Sequence, residues 1–316
     1  MSSAALAVED LTVKVGPVPA VHGISFELAA GQRTGLIGES GSGKTLTALA
    51  LLGLLPDTLS ASGHVRYEGT DLLTLNERAL CRLRGDRLAM IFQEPMTALN
   101  PVMKIGQQVA EPLRIHRSLS ASAAQAAAQR MLEHVRIPDA AEKMQAYPHQ
   151  LSGGQRQRAM IAMAMACSPA ILIADEPTTA LDVTVQAQIL HLLSDLVEEQ
   201  GSTLLLITHD LPVVATVCER VIVLYGGRIV EQGPVSELFT APRHPYTRAL
   251  IDAIPPLDEE LPERKLAAIP GSVPGLGQFP PGCPFRNRCP RATDVCETMP
   301  PLEGDGHQFA CWHPVP

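Results

Sequence analysis

The segment Gly38-Glu-Ser-Gly-Ser-Gly-Lys-Thr45 decides the fold of this chain. It lies between a short strand-like run, Arg33–Ile37, and an apolar run from Lys44 to about Leu55 that has the character of a helix. Its glycines allow backbone N–H groups to turn inward and surround a phosphate at the start of that helix. A Gly-rich turn alone does not explain the Lys-Thr pair at this offset. The segment therefore predicts a P-loop, which binds a nucleoside triphosphate.

The P-loop motif predicts a role for most of its residues. Lys44 is expected to neutralise β- and γ-phosphate oxygens, and Thr45 is expected to ligate Mg²⁺. The residues predicted to contact the phosphates are Gly38, Ser40, Gly41, Ser42, Gly43, Lys44 and Thr45.

Two acids follow a buried-strand pattern further along the chain. The apolar run Ile171–Ala174 ends in Asp175 and Glu176, and the tip of such a strand in a P-loop protein is aimed at the phosphates. We expect Asp175 to orient Mg²⁺ and Glu176 to polarise the attacking water as a general base. A solvated acidic turn is the plainer alternative, and the presence of a P-loop argues against it.

Two further polar residues are predicted at the same edge of the sheet. His209 follows the apolar run Leu204–Ile207, and Gln93 ends the strand-like run Leu88–Phe92. We expect His209 to contact the γ-phosphate, and Gln93 to reach both Mg²⁺ and the attacking water. A lone residue of either type is more often structural, but a position directly after a strand favours the catalytic role.

The segment Leu151-Ser-Gly-Gly-Gln155 is a second phosphate-binding candidate. It joins an exposed Ser hydroxyl and Gly amides to a helix, Arg156–Cys167, which makes another anion-binding helix start. One nucleotide cannot be surrounded by two distant helix N-termini of the same compact domain. We therefore expect a head-to-tail pair of subunits, each closing the site of the other. The residues expected to reach the partner's nucleotide are Ser152, Gly153, Gly154 and Gln155.

The composition narrows the function classes. At 316 residues the chain exceeds a typical single domain, and a hydrophobic content of 46% supplies a sizeable core. The net charge of −8 and the absence of a basic stripe argue against nucleic-acid binding. No signal-peptide pattern opens the sequence, and its apolar stretches are much shorter than the roughly 20 residues of a membrane span. We expect a soluble, cytoplasmic protein that reaches a membrane only through a partner.

Strand-like and helical runs alternate up to about Thr240. This order predicts an α/β fold with a mostly parallel sheet, interrupted by a helical insertion rich in Ala and Gln. Beyond Thr240 the chain is rich in proline and cysteine and shows little periodicity. The predicted domains are a nucleotide-binding domain at 1–240, with a helical subdomain at about 95–166, and a small C-terminal extension at 241–316.

Together these motifs resemble one known family. The set that carries the resemblance is GESGSGKT, Gln93, LSGGQ, Ile171–Pro177, Ala180-Leu-Asp182 and His209. In order and spacing it resembles the nucleotide-binding subunit of ATP-binding-cassette (ABC) transporters throughout residues 1–240. The resemblance implies an ABC-type P-loop fold, Asp182 at the seam of a dimer, and an ATP-driven closure of that dimer that hydrolysis releases.

One position departs from the family pattern. Family members place an aromatic ring under the adenine, whereas the matching stretch here, Leu11–Val15, is aliphatic and puts Val15 in the place of the ring. A missing base stack is worth about 1–3 kcal/mol, or roughly one order of magnitude in affinity. We expect weaker discrimination between ATP and GTP than in relatives that carry the ring.

Three further stretches resemble the dipeptide/oligopeptide importer ATPases of that family, namely Phe92–Pro101, His244–Leu250 and Ile269–Gly271. The resemblance implies a motor subunit on the cytoplasmic face of the inner membrane, with two permeases and an extracytoplasmic solute-binding protein as partners. It also implies a second ABC ATPase, and a heterodimer with a paralogue is favoured. Importers of nickel and of glutathione belong to the same subfamily, so the solute stays open.

Four cysteines lie in the extension, in the pattern Cys283-x5-Cys289-x6-Cys296-x14-Cys311. Disulfides are disfavoured in the cytosol, and structural zinc usually has closely spaced cysteine pairs. Wide, irregular spacing with Cys-Pro steps favours a 4Fe–4S cluster, and similar members of the importer subfamily carry one. A structural 4Fe–4S cluster is expected ahead of Zn²⁺, and both are expected ahead of four free thiols.

Other function classes fit the sequence less well. An ordinary P-loop kinase has no use for LSGGQ, and DNA-repair ABC ATPases carry a long coiled coil for which this sequence has no heptad run. The ATPase of a phosphonate-degrading complex should lack the cysteine-bearing extension, and it stays open as a non-transport alternative. A scaffold that binds nucleotide without hydrolysing it would not need Glu176, His209 and LSGGQ. All three are present in this sequence, which argues against such a scaffold.

Overall fold

The computed structural model describes residues 4–179, 181–254 and 268–316. They form two compact units, each built from several stretches of the chain. The first unit contains the described residues within Met1–Leu6, Leu28–Gln32 and Thr74–Leu206. The second unit contains those within Ala7–Glu27, Arg33–Leu73 and Ile207–Pro316.

Strands and helices alternate along the described residues. The strands are β1 (Ala4–Val15), β2 (Val18–Ala29), β3 (Arg33–Ile37), β4 (Leu59–Tyr67), β5 (Thr70–Asp71), β6 (Leu88–Ile91), β7 (Ile171–Asp175), β8 (Thr203–Ile207), β9 (Arg220–Tyr225), β10 (Arg228–Pro234) and β11 (Gln308–Phe309). The helices are α1 (Lys44–Leu51), α2 (Glu77–Leu83), α3 (Pro95–Ala98), α4 (Ile105–His116), α5 (Ala121–His134), α6 (Ala140–Lys143), α7 (Gly153–Met165), α8 (Val183–Gln200), α9 (Leu211–Val217), α10 (Val235–Thr240) and α11 (Pro245–Asp252). Short 3₁₀ turns lie at Leu72–Thr74, Pro148–Gln150, Arg286–Arg288 and Asp294–Glu297.

The strands of the described residues form two sheets. One has the strand order β11-β10-β9-β3-β8-β7-β6, and the other has the order β2-β1-β4-β5. Strand β3 runs parallel to β9, with Thr34 opposite Arg220, and β6 runs parallel to β7, with Leu88 opposite Ile171. Strand β10 is antiparallel to both β9 and β11. The predicted α/β fold with its parallel-rich sheet is confirmed.

The apolar runs of the sequence account for the central strands. Every residue of β7 and of β8 is buried, as expected of parallel strands that are covered on both faces. Helix α1 is shorter than the sequence predicts and ends at Leu51 rather than near Leu55. The reason is local, because the N–H of Leu54 donates to the carbonyl of Leu49 at 2.8 Å and closes the helix with a reversed turn.

Helices α4, α5 and α7 pack against one another in the first unit. In α5 the buried residues are Ala124, Ala128 and Leu132, which lie on one face because they are spaced four residues apart. Two of the three are alanines, whose small side chains allow neighbouring helices to approach closely. None of the helices in the described part of the chain has both the length and the apolar character needed to cross a membrane.

Candidate nucleotide site

The P-loop of the second unit connects β3 to α1. Gly38 has φ of 154°, and a Cβ at this position would lie only 2.2 Å from the carbonyl oxygen of Leu224, so no larger residue fits. The buried Lys44 points back over the loop, where its Nζ donates to the carbonyl of Gly38 at 2.7 Å and to that of Glu39 at 3.1 Å. The ammonium group therefore lies beside the backbone of the first two residues of the loop.

The remaining loop residues differ in exposure. Ser40, Gly41 and Thr45 are exposed to solvent. The hydroxyl of Ser42 is buried and has no hydrogen-bond partner among the described residues. A buried hydroxyl without a partner is costly. An anion held by the loop would supply an acceptor, so the donor set of the loop fits a phosphate group.

In the first unit, two catalytic candidates meet at one sheet edge. Strands β6 and β7 are parallel neighbours, and their register places Ile91 opposite Ala174. Gln93 and Glu176 each follow two residues later, and the Nε2 of Gln93 donates to the Oε2 of Glu176 at 3.1 Å. Asp175, the last residue of β7, is 1% exposed. The predicted meeting of residues that follow adjacent parallel strands is therefore seen for Gln93 and Glu176.

The sequence did not point to Thr179 as part of this arrangement. Its Oγ1 donates to the same Oε2 of Glu176 at 3.0 Å, and its N–H donates to the carbonyl of Glu176 at 3.2 Å. The two residues are joined by a tight turn. A hydroxyl three residues after an acid in a turn is the signal that could have identified it.

The LSGGQ segment forms the start of α7. Ser152 is the N-cap: its Oγ accepts from the N–H of Gln155 at 3.3 Å, while the Oε1 of Gln155 accepts from the N–H of Ser152 at 3.0 Å. This reciprocal pair is a capping box. Ser152 and Gly153 are exposed, so the predicted accessible helix start is present at the surface of the first unit.

Asp182 is placed beside that helix start. It is the N-cap of α8, and its Oδ1 accepts from the N–H of Val185 at 2.9 Å. A Cβ at Gly154 would lie 2.9 Å from the Cγ1 of Val185, so the absence of a side chain allows α7 to approach α8. Ala180, part of the same motif, lies outside the described residues. The structure thus brings LSGGQ and Asp182 together within the first unit.

His209 and Val15 belong to the second unit, as does the P-loop. His209 is exposed just after β8 and is followed by Asp210, whose Oδ1 caps α9 by accepting from the N–H of Val213 at 3.2 Å. Val15, the last residue of β1, is 37% exposed. Its aliphatic side chain is accessible to solvent.

The four cysteines of the extension are free thiols that line one small cavity of about 10 Å³. The Sγ of Cys289 and the Sγ of Cys311 each accept a backbone N–H at 3.4 Å. Burial raises the pKa of Cys283 and that of Cys311 to about 11. In the described part of the chain, no three His, Cys, Asp or Glu side chains are arranged to hold a metal ion. The predicted gathering of the four cysteines is present, but a metal-binding geometry is not.

The HPYT stretch of the extension, at 244–247, has structural roles that the sequence did not indicate. The carboxylate of Glu231 is fully buried and accepts from the N–H groups of Arg243 at 2.6 Å and of His244 at 2.9 Å. His244 caps α11 through its Nδ1, which accepts from the N–H of Tyr246 at 3.1 Å. Burial lowers the pKa of His244 to about 3, so the ring is a neutral acceptor at neutral pH.

Comparison with known proteins places this geometry in a family. A sequence model of the ABC transporter family matches residues 21–179, and a model of the oligopeptide/dipeptide transporter C-terminal region matches residues 230–296. The oligopeptide transport ATP-binding protein OppD of Salmonella typhimurium is 48% identical over 98% of this chain and 94% of its own length. The oligopeptide transport ATP-binding protein AppD of Bacillus subtilis is 48% identical over 91% of this chain and 88% of its own length.

Solved structures agree with these relatives. The dimeric, post-hydrolysis structure of the ATP-binding cassette MJ0796 bound to ADP and Pi is similar with a TM-score of 0.64 and 29% identity. The similarity covers 73% of this chain and 98% of that one. The cassette motifs, the extension and the near full-length identity all agree, and this chain belongs to the ABC transporter family, with a C-terminal region of the oligopeptide/dipeptide transporter type.

Proposed function

We propose that this chain is the ATP-hydrolysing motor subunit of an ABC importer of dipeptides or oligopeptides. The observation that carries the proposal is the extent of the similarity, which covers the extension at residues 230–296 as well as the cassette at 21–179. Relatives similar over both regions are named oligopeptide transport ATP-binding proteins. The proposed domains are the nucleotide-binding domain at 1–240, its helical subdomain at about 95–166 and the extension at 241–316.

The P-loop binds the phosphates of ATP in this proposal. Its inward-facing amides and the buried hydroxyl of Ser42 contact phosphate oxygens. Lys44 exchanges the carbonyls of Gly38 and Glu39, which it contacts in this structure, for the more negative β- and γ-phosphate oxygens. His209 contacts the γ-phosphate, and Val15 lies under the base.

Glu176 is the proposed general base of hydrolysis. Its carboxylate takes a proton from the attacking water, whose oxygen bonds to the γ-phosphorus as the bond to the bridging oxygen breaks, which gives ADP and phosphate. Gln93 and Thr179 both donate to its Oε2, so the carboxylate is oriented before the reaction starts. Thr45, Gln93 and Asp175 are the proposed ligands of Mg²⁺, which neutralises phosphate charge when bound.

The LSGGQ helix start serves a second subunit. Ser152, Gly153, Gly154 and Gln155 are proposed to contact the γ-phosphate of ATP held by a partner ABC ATPase, with Asp182 at the seam. The partner is proposed to be a paralogue. The pair works at the cytoplasmic face of the inner membrane, beneath two permeases and with an extracytoplasmic solute-binding protein. The exposed capping box of α7 and its closeness to Asp182 support the proposed role of the LSGGQ segment. The similarity to oligopeptide transport ATP-binding proteins supports the proposed permease partners.

We propose a structural 4Fe–4S cluster, rather than Zn²⁺, for Cys283, Cys289, Cys296 and Cys311. Support comes from their wide spacing, their shared cavity and the two N–H···S contacts. The proposal requires the four sulfurs to change position on binding, because no three of these side chains are arranged as a metal site in the described residues.

Anaerobically purified protein should contain iron and sulfide, and Cys289→Ser should lose both while the exposed Cys81→Ser retains them. A colourless, iron-free protein would overturn the cluster.

Transport by a reconstituted complex tests the main proposal. The chain is co-produced with candidate permeases and a candidate paralogous ATPase from the same organism, inserted into liposomes with a solute-binding protein, and supplied with ATP and a labelled tripeptide. We expect peptide uptake that Glu176→Gln abolishes and that Glu142→Gln, an exposed acid far from β7 in sequence, leaves unchanged. Uptake of nickel or glutathione instead would reassign the solute, and ATP hydrolysis without any captured permease would favour a non-transport ATPase.

A further inference from the structure

One arginine of the extension contacts the P-loop. The guanidinium of Arg288 forms two bonds to the carboxylate of Glu39, at 2.6 Å from Nη1 and at 3.1 Å from Nη2. Glu39 is the second residue of the P-loop, whereas Arg288 directly precedes Cys289. The side chains of Arg288 and Glu39 are 6% and 26% exposed, so this paired contact is partly shielded from solvent and stronger than a fully exposed ion pair.

Further contacts of the guanidinium group fix the orientation of the Arg288 side chain. Its Nε donates to the carbonyl of Pro270 at 2.8 Å, and its Nη1 also donates to the Tyr225 hydroxyl at 3.1 Å. The guanidinium carbon lies 5.8 Å from the ring centres of both Tyr225 and Phe285. Burial alone would lower the pKa of Arg288, but the hydrogen bonds to Glu39 and Tyr225 raise it. The side chain is therefore a fixed, permanently charged contact for Glu39.

A second residue of the extension binds the backbone of Glu39. The hydroxyl of Tyr246, from the HPYT stretch, accepts from the Glu39 N–H at 2.9 Å. Tyr246 is fully buried, and its ring lies 4.6 Å from that of Tyr225 and 5.2 Å from that of Phe285. Side chain and backbone of Glu39 are thus both held by the extension.

The peptide groups of Glu39 connect this contact to the phosphate-binding part of the loop. The Glu39 carbonyl accepts from Lys44 Nζ at 3.1 Å and from the N–H of Ser42 at 3.2 Å. In addition, Val273 and Leu276 of the extension border one cleft together with Ser40. A Gly-rich loop has many accessible backbone conformations, and fixing one of its residues reduces the entropy that phosphate binding must remove.

We propose that Arg288 and Tyr246 are positioning residues for ATP binding, which hold Glu39 so that the P-loop is already shaped for phosphate. The proposal rests on nucleotide binding at this loop, as set out under the proposed function. Through these two residues the extension contributes to the affinity for ATP. Both residues contact Glu39, and in this proposal they act on the nucleotide through it.

The test compares Tyr246→Phe and Arg288→Gln with a matched control. Arg286→Gln is the control, because Arg286 lies in the same 3₁₀ turn but pairs with Glu297 at 2.9 Å. Binding of Mg·ATP by the full chain is measured by titration calorimetry, and unfolding is followed by heating. We expect the Kd for ATP to rise about fivefold in Tyr246→Phe, which loses one hydrogen bond, and more than tenfold in Arg288→Gln, with Arg286→Gln unchanged.

Three readouts separate positioning from a general loss of stability. The KM for ATP should rise while kcat stays within about twofold. Combining Glu39→Gln with Arg288→Gln should add little to either single change, because both remove one contact. Arg288→Lys should recover only part of the affinity, since an ammonium group cannot make the paired contact.

Unaltered ATP affinity in Tyr246→Phe, which keeps the buried ring, would overturn the proposal even if Arg288→Gln fails to fold. An equal loss of affinity in Arg286→Gln would also overturn it, because that result assigns the effect to the 3₁₀ turn as a whole. If the unaltered chain does not bind ATP, the proposed function itself fails, which is a distinct outcome.

Discussion

Glu176 adopts the left-handed backbone conformation, with φ of 44°. A residue with a side chain is strained there by on the order of 1–3 kcal/mol. Such strain persists only where the surroundings determine the conformation, and Gln93 and Thr179 do so by bonding to the side chain. The carboxylate therefore has its direction before any nucleotide arrives, which suits a general base.

Replacing Thr179 by valine tests this orientation. Valine has the shape of threonine but cannot donate to the Oε2 of Glu176, so one of the two described hydrogen bonds is lost. We expect kcat for ATP hydrolysis to fall about three- to tenfold, with little change in KM. Thr216→Val is the control, since the Thr216 hydroxyl donates to the carbonyl of Pro212 in its own helix. An unchanged kcat in Thr179→Val would remove Thr179 from the site.

We expect Val15 to determine how well the chain distinguishes ATP from GTP. It is 37% exposed at the end of β1, which leaves room for a larger side chain. Val15→Tyr should restore a base stack and tighten ATP binding by roughly tenfold, while raising the preference for ATP over GTP. Competition binding measures both effects, with the exposed Val102→Tyr as control. A strong ATP preference in the unaltered chain would contradict the role given to Val15.

At the scale of elements, two helix starts of the first unit offer a matched comparison. Ser152 caps α7 and Ser120 caps α5, each by accepting the N–H of the residue three positions later. Replacing either serine by alanine should lower the free energy of unfolding by about 1 kcal/mol. Only Ser152→Ala should also reduce ATPase activity of the assembled dimer, by about tenfold or more.

Unfolding by denaturant and steady-state ATPase assays distinguish the two effects. Equal activity losses in Ser152→Ala and Ser120→Ala would show that capping alone matters, and that the LSGGQ start does not serve a nucleotide.

How far the sequence predicts the site depends on the kind of contact. Gln93 and Glu176 are 83 residues apart, yet their meeting is predictable because they follow two adjacent parallel strands, β6 and β7. Arg288 and Glu39 are 249 residues apart, and no repeating pattern links an irregular extension to a loop. Periodicity and motif spacing report regular elements and local turns. They contain no signal for a side-chain contact between two irregular segments.

At the scale of the whole molecule, the division of motifs predicts how activity depends on concentration. If each site needs the LSGGQ helix start of another subunit, dilution separates the halves. The ATPase activity per mole of chain should therefore rise with protein concentration, and rise further when the paralogous ATPase is added. Activity per mole that stays constant over a hundredfold dilution would indicate that one chain holds a complete site.

The pairing of β11 with β10 has a consequence for synthesis of the chain. Residues Gln308 and Phe309 lie along β10 in antiparallel register, and the N–H of Ala310 donates to the carbonyl of Val230 at 2.8 Å. Until residues 308–310 leave the ribosome, that side of β10 has free backbone groups that can pair with another nascent chain. Because domains begin to fold during translation, neighbouring chains on one messenger RNA are at risk of aggregation until this short strand is made.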